Sequence, residues 1–478
     1  MSEHPRWTLD PDRALPAEPT RRAIAREIHG RTADLPIVSM HGHVDAGTLA
    51  RDEAFGDAAE LFVIPDHYLL RMLVSQGVPH HELGIPPRDG GPVQHDRREI
   101  WRRFCEHWRA FRGTPTRYWL EHELVEVFGV SRAPSAATAD LLYDELLETL
   151  ARPEFRIRAL FERFGIEVLG TTDSATSALA DHATLRRDGW GDRVVPTFRP
   201  DVLFHPDGAG WRAAIDELSA ASGVEVGDQA GFLEALRERR RYFVAAGARA
   251  TDHGHRTPDT TPLPAEEAQR LFAAALRGPL GVREAEAYAA HMLFESARMS
   301  LEDGLVMQLH PGVVRDHSAQ VAGRYGSDLG FDIPRGVEFT RALRPLLDAV
   351  GHDPRFRLIL FTVDETAYSR ELAPLAGAYP SVLLGAPWWF LDAPGGLARF
   401  RELTTETAGF YNTSGFVDDT RAFASIPARH DLARRIDAGY LAKLVAEHRL
   451  GLDEAIETAI DLTVTLPRAA YARPGDGG

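Results

Sequence analysis

Short apolar runs ending in polar or ionisable residues recur along the chain. Stretches with helical spacing separate them, and this alternation predicts repeated strand–helix units. The first run is Pro36-Ile37-Val38-Ser39-Met40, ending in His41-Gly42-His43. Residues 166–169 lead into Asp173, and residues 194–198 into Arg199-Pro200-Asp201. Residues 247–251, the least apolar run, end in Asp252-His253, and residues 305–309 end in His310. Residues 358–363 end in Asp364-Glu365, residues 382–384 lead to Trp388-Trp389, and residues 413–417 end in Asp418-Asp419-Thr420-Arg421. Eight such units predict an α/β fold, a (β/α)8 TIM barrel. In that fold the strand–helix loops converge at the C-terminal ends of the strands, where these reactive side chains collect.

More than a hundred residues of helical character separate the first two runs. Residues 101–112 and 120–127 carry apolar side chains at three- and four-residue spacing. Residues 45–155 therefore read as an α-helical insertion capping the barrel mouth, because long inserts tend to sit on the functional face. The barrel itself takes residues 1–44 and 156–470, and residues 471–478 read as a disordered tail. A second connection, residues 203–245, is mostly helical, and residues 257–264 form a Pro/Thr-rich surface loop.

The hydrophobic share of 44% and charged share of 26% fit an ordinary soluble globular protein. The formal charge of −16 argues against nucleic acid or an anionic membrane as partner, and an anionic substrate would need a local cationic pocket. A single cysteine, Cys105, excludes a disulfide framework and a cysteine-based zinc site. The one lysine, Lys443, falls on an apparent helix near the C-terminus. Schiff-base chemistry and a binuclear centre bridged by a carbamylated lysine are thereby disfavoured. Without a basic-plus-apolar leader or an apolar run of about 20 residues, the expected location is the cytoplasm, and a homo-oligomer is expected.

His41 and His43 follow a buried strand near the N-terminus, where two neutral imidazoles can bind one divalent ion. A second His-x-His, His253-Gly254-His255, has the same spacing. Position favours the first pair, which stands where a first barrel strand belongs. His310 and Asp419 complete a candidate metal set open to water or substrate. Satisfied core histidines are the competing reading for the pair, and for Asp419 a helix N-cap or a salt bridge to Arg421. Asp418 would then be the exposed neighbour.

These pieces, in this order, resemble the uronate (glucuronate) isomerase family of the amidohydrolase superfamily. The resemblance rests on His41-x-His43 with Asp45, Asp66-His67-Tyr68, Arg199-Pro200-Asp201 and Thr251-Asp252-His253-Gly254. It continues through Gln308-Leu309-His310 with Arg315, residues 385–390 with Trp388-Trp389-Phe390, and Asp419-Thr420-Arg421-Ala422-Phe423 with Arg429-His430. The chain departs from the family at Arg315-Asp316-His317-Ser318, at Thr362-Val363-Asp364-Glu365, at Ser174 and at the extra His255. The resemblance implies a barrel of the metal-dependent hydrolase type and one divalent ion, zinc or manganese, held by His41, His43, His310 and Asp419. It implies aldose–ketose isomerisation of a hexuronate, with Asp419, Arg421 and Tyr68 moving protons and stabilising the oxyanion. His67, Arg199, Trp388, Trp389, Arg315 and Asp252 would bind the sugar acid. Core packing competes for both tryptophans, a structural ion pair for Arg199, and a satisfied place in the insertion for Tyr68. A mononuclear decarboxylase or hydrolase would use the same metal set.

Overall fold

A computed structural model describes residues 6–473. Nine short parallel strands fall into a three-stranded and a six-stranded sheet. Two barrel positions are each split by a break, so the nine strands occupy seven positions. In barrel order these are Ile37–Ser39; Ile166–Gly170 with Asp173–Ser174; and Val194–Val195 with Phe198–Arg199. Ala250–His253, Val306–Leu309, Leu358–Leu360 and Val382–Leu384 follow. The third position is interrupted at Pro196, which has no amide hydrogen to give a ladder.

The eighth predicted strand is not a regular strand. Only an isolated parallel bridge from Thr413 to Leu384 marks it. The backbone still closes the ring: Ser414 N donates to Leu384 O at 2.8 Å, and Asp419 N donates to His41 O at 3.3 Å. His43 N donates to Thr420 O at 2.9 Å. Regular pairing fails because Gly415 and Asp419 take left-handed φ values of 76° and 44°. The fourth strand begins at Ala250 rather than at Gly247, whose φ of 96° makes it the turn before the strand. The sixth stops at Leu360, short of the expected residue 363.

Val38, Met40, Ala250, Val306, Ile359 and Val417 belong to one apolar cluster filling the barrel. Tyr471 belongs to it as well, buried at 1% exposure, and its hydroxyl donates to Gln308 Oε1 at 2.8 Å. The expected tail therefore cannot begin at 471; residues 474–478 lie outside the described residues. Outside the sheet, the helix Pro19–Thr32 packs on Ile426–Ala446 and Leu452–Ile460 through Ala25, Ile28, Leu441 and Ala455. Lys443 sits on Ile426–Ala446 and pairs with Glu402, away from the barrel mouth.

Residues 45–155 form short helices around Ile100, Trp101, Phe104 and Leu124, in one apolar cluster with the outer faces of the first two strands. The helix His67–Ser75 carries this segment into the mouth. Asp66 caps it by accepting from the amides of Tyr68 and Leu69, which fixes His67 and Tyr68 at its first turn. Among the described residues no helix is long and apolar enough to cross a membrane.

Candidate active site and metal centre

His41, His43 and Asp419 each present one ligand atom, and the three atoms lie within 4.8 Å of one another. Asp419 Oδ1 stands 3.0 Å from His43 Nε2 and 3.4 Å from His41 Nε2. Strand alternation does not produce this convergence, because the first strand ends at Ser39 and Asp419 is left-handed. The two turns aim the side chains instead. Asp419 Oδ1 is buried with no aligned hydrogen-bond donor, so atoms bearing lone pairs face one another across a small gap. Two imidazoles and a carboxylate so placed fit a divalent ion.

The electrostatics also favour a positive charge here. Burial opposes charge on His41, yet Asp252 and Asp419 raise its pKa. Burial likewise opposes ionisation of Asp419, and His41 and His43 nonetheless hold its pKa far below the ordinary carboxylate range.

Asp252 lies beneath this trio, fully buried. His310 Nε2 is 2.7 Å from its Oδ1, Arg199 Nη1 is 3.4 Å from its Oδ2, and His41 Nδ1 is 3.9 Å away. These three neighbours lower its pKa well below normal despite burial. Asp252 does not line the cavity, contrary to its expected contact with substrate; it aligns the residues that do. His310 is not one of the converging atoms, since its Nε2 is turned to Asp252. Asp418 is buried, not exposed as anticipated, and its carboxylate sits between Ser39 Oγ and His430 Nε2.

Above the trio opens a cavity of about 240 Å³. His41, His43, His67, Tyr68, Arg199, His310, Arg315, Trp388, Trp389, Asp419 and Arg421 all line it, so the mouth gathers most of the predicted site. Trp388 is both wall and packing, stacked on Phe361 with ring centroids 4.1 Å apart. That stack needs Gly385, where a Cβ would come within 2.2 Å of the Phe361 ring. Arg315 lies 5.0 Å over Trp389 and donates to Asp332 at 2.8 Å. Arg421 pairs with Asp328, which also lines the cavity.

Burial makes the His67 imidazole less basic and leaves its Nδ1 without a partner. Burial, and then Asp392, push the Tyr68 phenol well above its ordinary pKa, so it stands ready as a neutral donor. Its hydroxyl donates to Asp392 Oδ2 at 2.9 Å, and Arg429 Nη1 reaches the same oxygen at 3.0 Å.

The sequence profile of the glucuronate isomerase family matches residues 20–465. The chain belongs to the glucuronate isomerase family. A uronate isomerase of Rhizobium meliloti (strain 1021) is 54% identical over 466 residues, covering 98% of this chain and 99% of that protein. The crystal structure of glucuronate isomerase from Caulobacter crescentus superposes with a TM-score of 0.95 at 48% identity, covering 98% of this chain and 99% of that one. The uronate isomerase of Thermotoga maritima superposes at 0.91 with 27% identity, over 98% of this chain and 100% of that one. The fold is thus the barrel of these isomerases, and the family membership expected from the motifs holds.

Sequence reading missed Asp392 and Asp328, the carboxylates that hold Tyr68 and Arg421. Asp392 could have been suspected as the first acid after Trp388-Trp389-Phe390. Asp328 carries no local signal; it reaches Arg421 across 93 residues of chain. One departure from the family also gains a structural reason. Asp316 has a left-handed φ of 49°, its amide donates to Asp332 Oδ1, and its Oδ1 accepts from Asp328 N at 3.0 Å. Asp tolerates that conformation as Asn does, so the loop keeps its shape.

Proposed function

We propose that this chain interconverts a hexuronate of the D-glucuronate or D-galacturonate type with its keto form. The observation that carries this reading is that Arg199, Arg315 and Arg421 line the same small cavity as His41, His43 and Asp419. A chain of net charge −16 that concentrates guanidinium groups there is built to receive a carboxylate. Arg199 and His67 take the substrate carboxylate, and Trp388 and Trp389 wall the sugar.

Asp419 is placed to act as the base. Its Oδ1 faces the two imidazoles, while the side chain keeps 14% of its surface open. It removes the proton from C2, and the electron pair enters a new C1–C2 double bond with negative charge on O1. Arg421, fixed by Asp328, lies where it can meet that charge. Tyr68 protonates O1 and recovers a proton from the O2 hydroxyl, with Asp392 and Arg429 holding its ring in register. Return of the proton to C1 completes the ketose with no change of formula. A divalent ion, zinc or manganese, bound by His41, His43 and Asp419 would supply Lewis acidity toward a substrate oxygen. In this reading the enzyme works in the cytoplasm as a homo-oligomer; Val314 and Ile333, paired on an antiparallel ribbon, leave apolar side chains exposed that a second copy could cover.

The test is to assay purified protein against a panel of hexuronates, with metal content measured alongside. Ketose product carrying solvent deuterium at C1, or solvent exchange there, supports proton transfer. Substrate loss with release of carbon dioxide or a hydrolytic fragment overturns the isomerase reading.

A further inference from the structure

The second His-x-His pair has no part in the chemistry above, yet it also gathers a carboxylate. One ligand atom each from Asp201, His253 and His255 lie within 4.8 Å of one another. Partnering in the fourth strand places this group outside the barrel. Asp252 pairs with Gln308, and both belong to the inner face; Thr251 and His253 pair with Met307 and Leu309, which belong to the outer apolar cluster. His253 stacks on Phe204 at 6.1 Å, and His255 lies 4.9 Å from the His205 ring.

Both imidazoles are buried, and each keeps a ring nitrogen without a partner: Nδ1 of His253 and Nε2 of His255. His253 Nε2 is engaged with Thr251 Oγ1 at 3.0 Å, so the proton can reside there and leave a bare lone pair on Nδ1. Unpartnered buried nitrogens are costly, and a ligand that accepts their lone pairs removes the cost. Gly254 lets the acid approach. Its amide donates to both Asp201 oxygens at 3.0 and 3.1 Å, and a Cβ there would come within 2.9 Å of Asp201 Oδ2.

We propose that Asp201, His253 and His255 form a second divalent-metal site, of the zinc class, on the outer side of the fourth strand. Two imidazoles and one carboxylate are a donor set that zinc accepts, with further positions left to water. Of the nearby guanidinium groups, Arg256 pairs with Asp207 at 2.7 Å, and Arg199 has Asp252 as a second partner besides Asp201. Asp201 and His255 open onto a cavity of about 570 Å³ that shares Arg199, His310, Val313 and Arg315 with the reaction cavity, which gives an ion a path in.

Crystals of the unaltered full chain equilibrated with Zn²⁺, measured at the zinc absorption edge, test this directly. The expected result is an anomalous peak between Asp201, His253 and His255 in addition to one at His41, His43 and Asp419. Absence of the former peak, with zinc only elsewhere, overturns the proposal. In solution, chelator-stripped protein dialysed against Co²⁺ is expected to take up one ion more per chain than His255→Gln. Equal uptake by a folded His255→Gln overturns it too; should that variant not fold, the crystal measurement on the unaltered chain decides.

Discussion

The two His-x-His pairs share a spacing and a glycine, and the fold puts them on opposite sides of the barrel wall. His41 and His43 meet Asp419 at the open mouth, beside four arginines and a neutral tyrosine. His253 and His255 meet Asp201 on the outer side, among Phe204 and His205. The same residue types thus gather at the barrel mouth in one place and against the outer packing in the other. The difference lies in what surrounds each pair: the first opens on a cavity that also gathers Tyr68, Trp388 and four arginines, while the second packs on Phe204 and His205 beside the neighbouring cavity.

The sharpest way to break that comparison is at the acids. Asp419→Asn should lower kcat on the order of a thousandfold, the scale of a lost general base, and weaken metal retention at the mouth. Turnover within tenfold of the parent would place the reaction centre elsewhere. Arg421→Lys keeps a charge but loses the planar fork that Asp328 fixes. Its kcat should drop roughly a hundredfold with metal content unchanged, as for removal of one transition-state donor. A change in KM alone would assign Arg421 to ground-state binding.

Neighbouring residues on the fourth strand sharpen the contrast. Asp252→Asn, on the inner face, removes the partner shared by His310 and Arg199 and should cut kcat/KM by about tenfold to a hundredfold. Thr251→Val, one residue away on the outer face, loses its bond to His253 and should cost about 1 kcal/mol of stability. Steady-state kinetics paired with denaturant melts separate the two; an equal kinetic loss in both would erase the distinction between faces.

A last contrast concerns a half-buried histidine belonging to neither cluster. Arg13 Nη2 donates to His122 Nδ1 at 2.6 Å, and burial first, then Arg13, lower its pKa from 6.5 to about 4. Between those values the unfolded chain binds the proton and the folded chain does not. The stability contributed by neutral His122 is therefore present above about pH 6.5 and lost as pH falls toward 4, by on the order of 3 kcal/mol. His122→Gln should flatten the difference between melts at these two pH values; an unchanged slope would show that other groups govern acid sensitivity.

Much of this site was legible because barrel strands deliver their ends to one face. Apolar runs ending in His41, Arg199, His310, Trp388 and Asp419 named residues that do line one cavity. Legibility failed where alternation was asked to give direction. Asp419 and Arg421, two residues apart, would share a side on a regular strand, yet Asp419 is left-handed and no regular strand precedes it. Asp252 was expected to touch substrate and Asp418 to be an exposed neighbour, and both are buried partners of other residues.

By itself the sequence determined the order of strands and helices, the family, and the residue types available for chemistry, because periodicity and motif spacing are local properties of the chain. Only the tertiary structure decided which histidine pair faces the mouth, that Asp392 and Asp328 hold Tyr68 and Arg421, and that Tyr471 closes the barrel interior instead of trailing as a tail. Those contacts join residues 93 to 324 positions apart. No local pattern encodes such pairs; closing the barrel brings them together, and burial then makes each unpaired polar group costly enough to fix its partner.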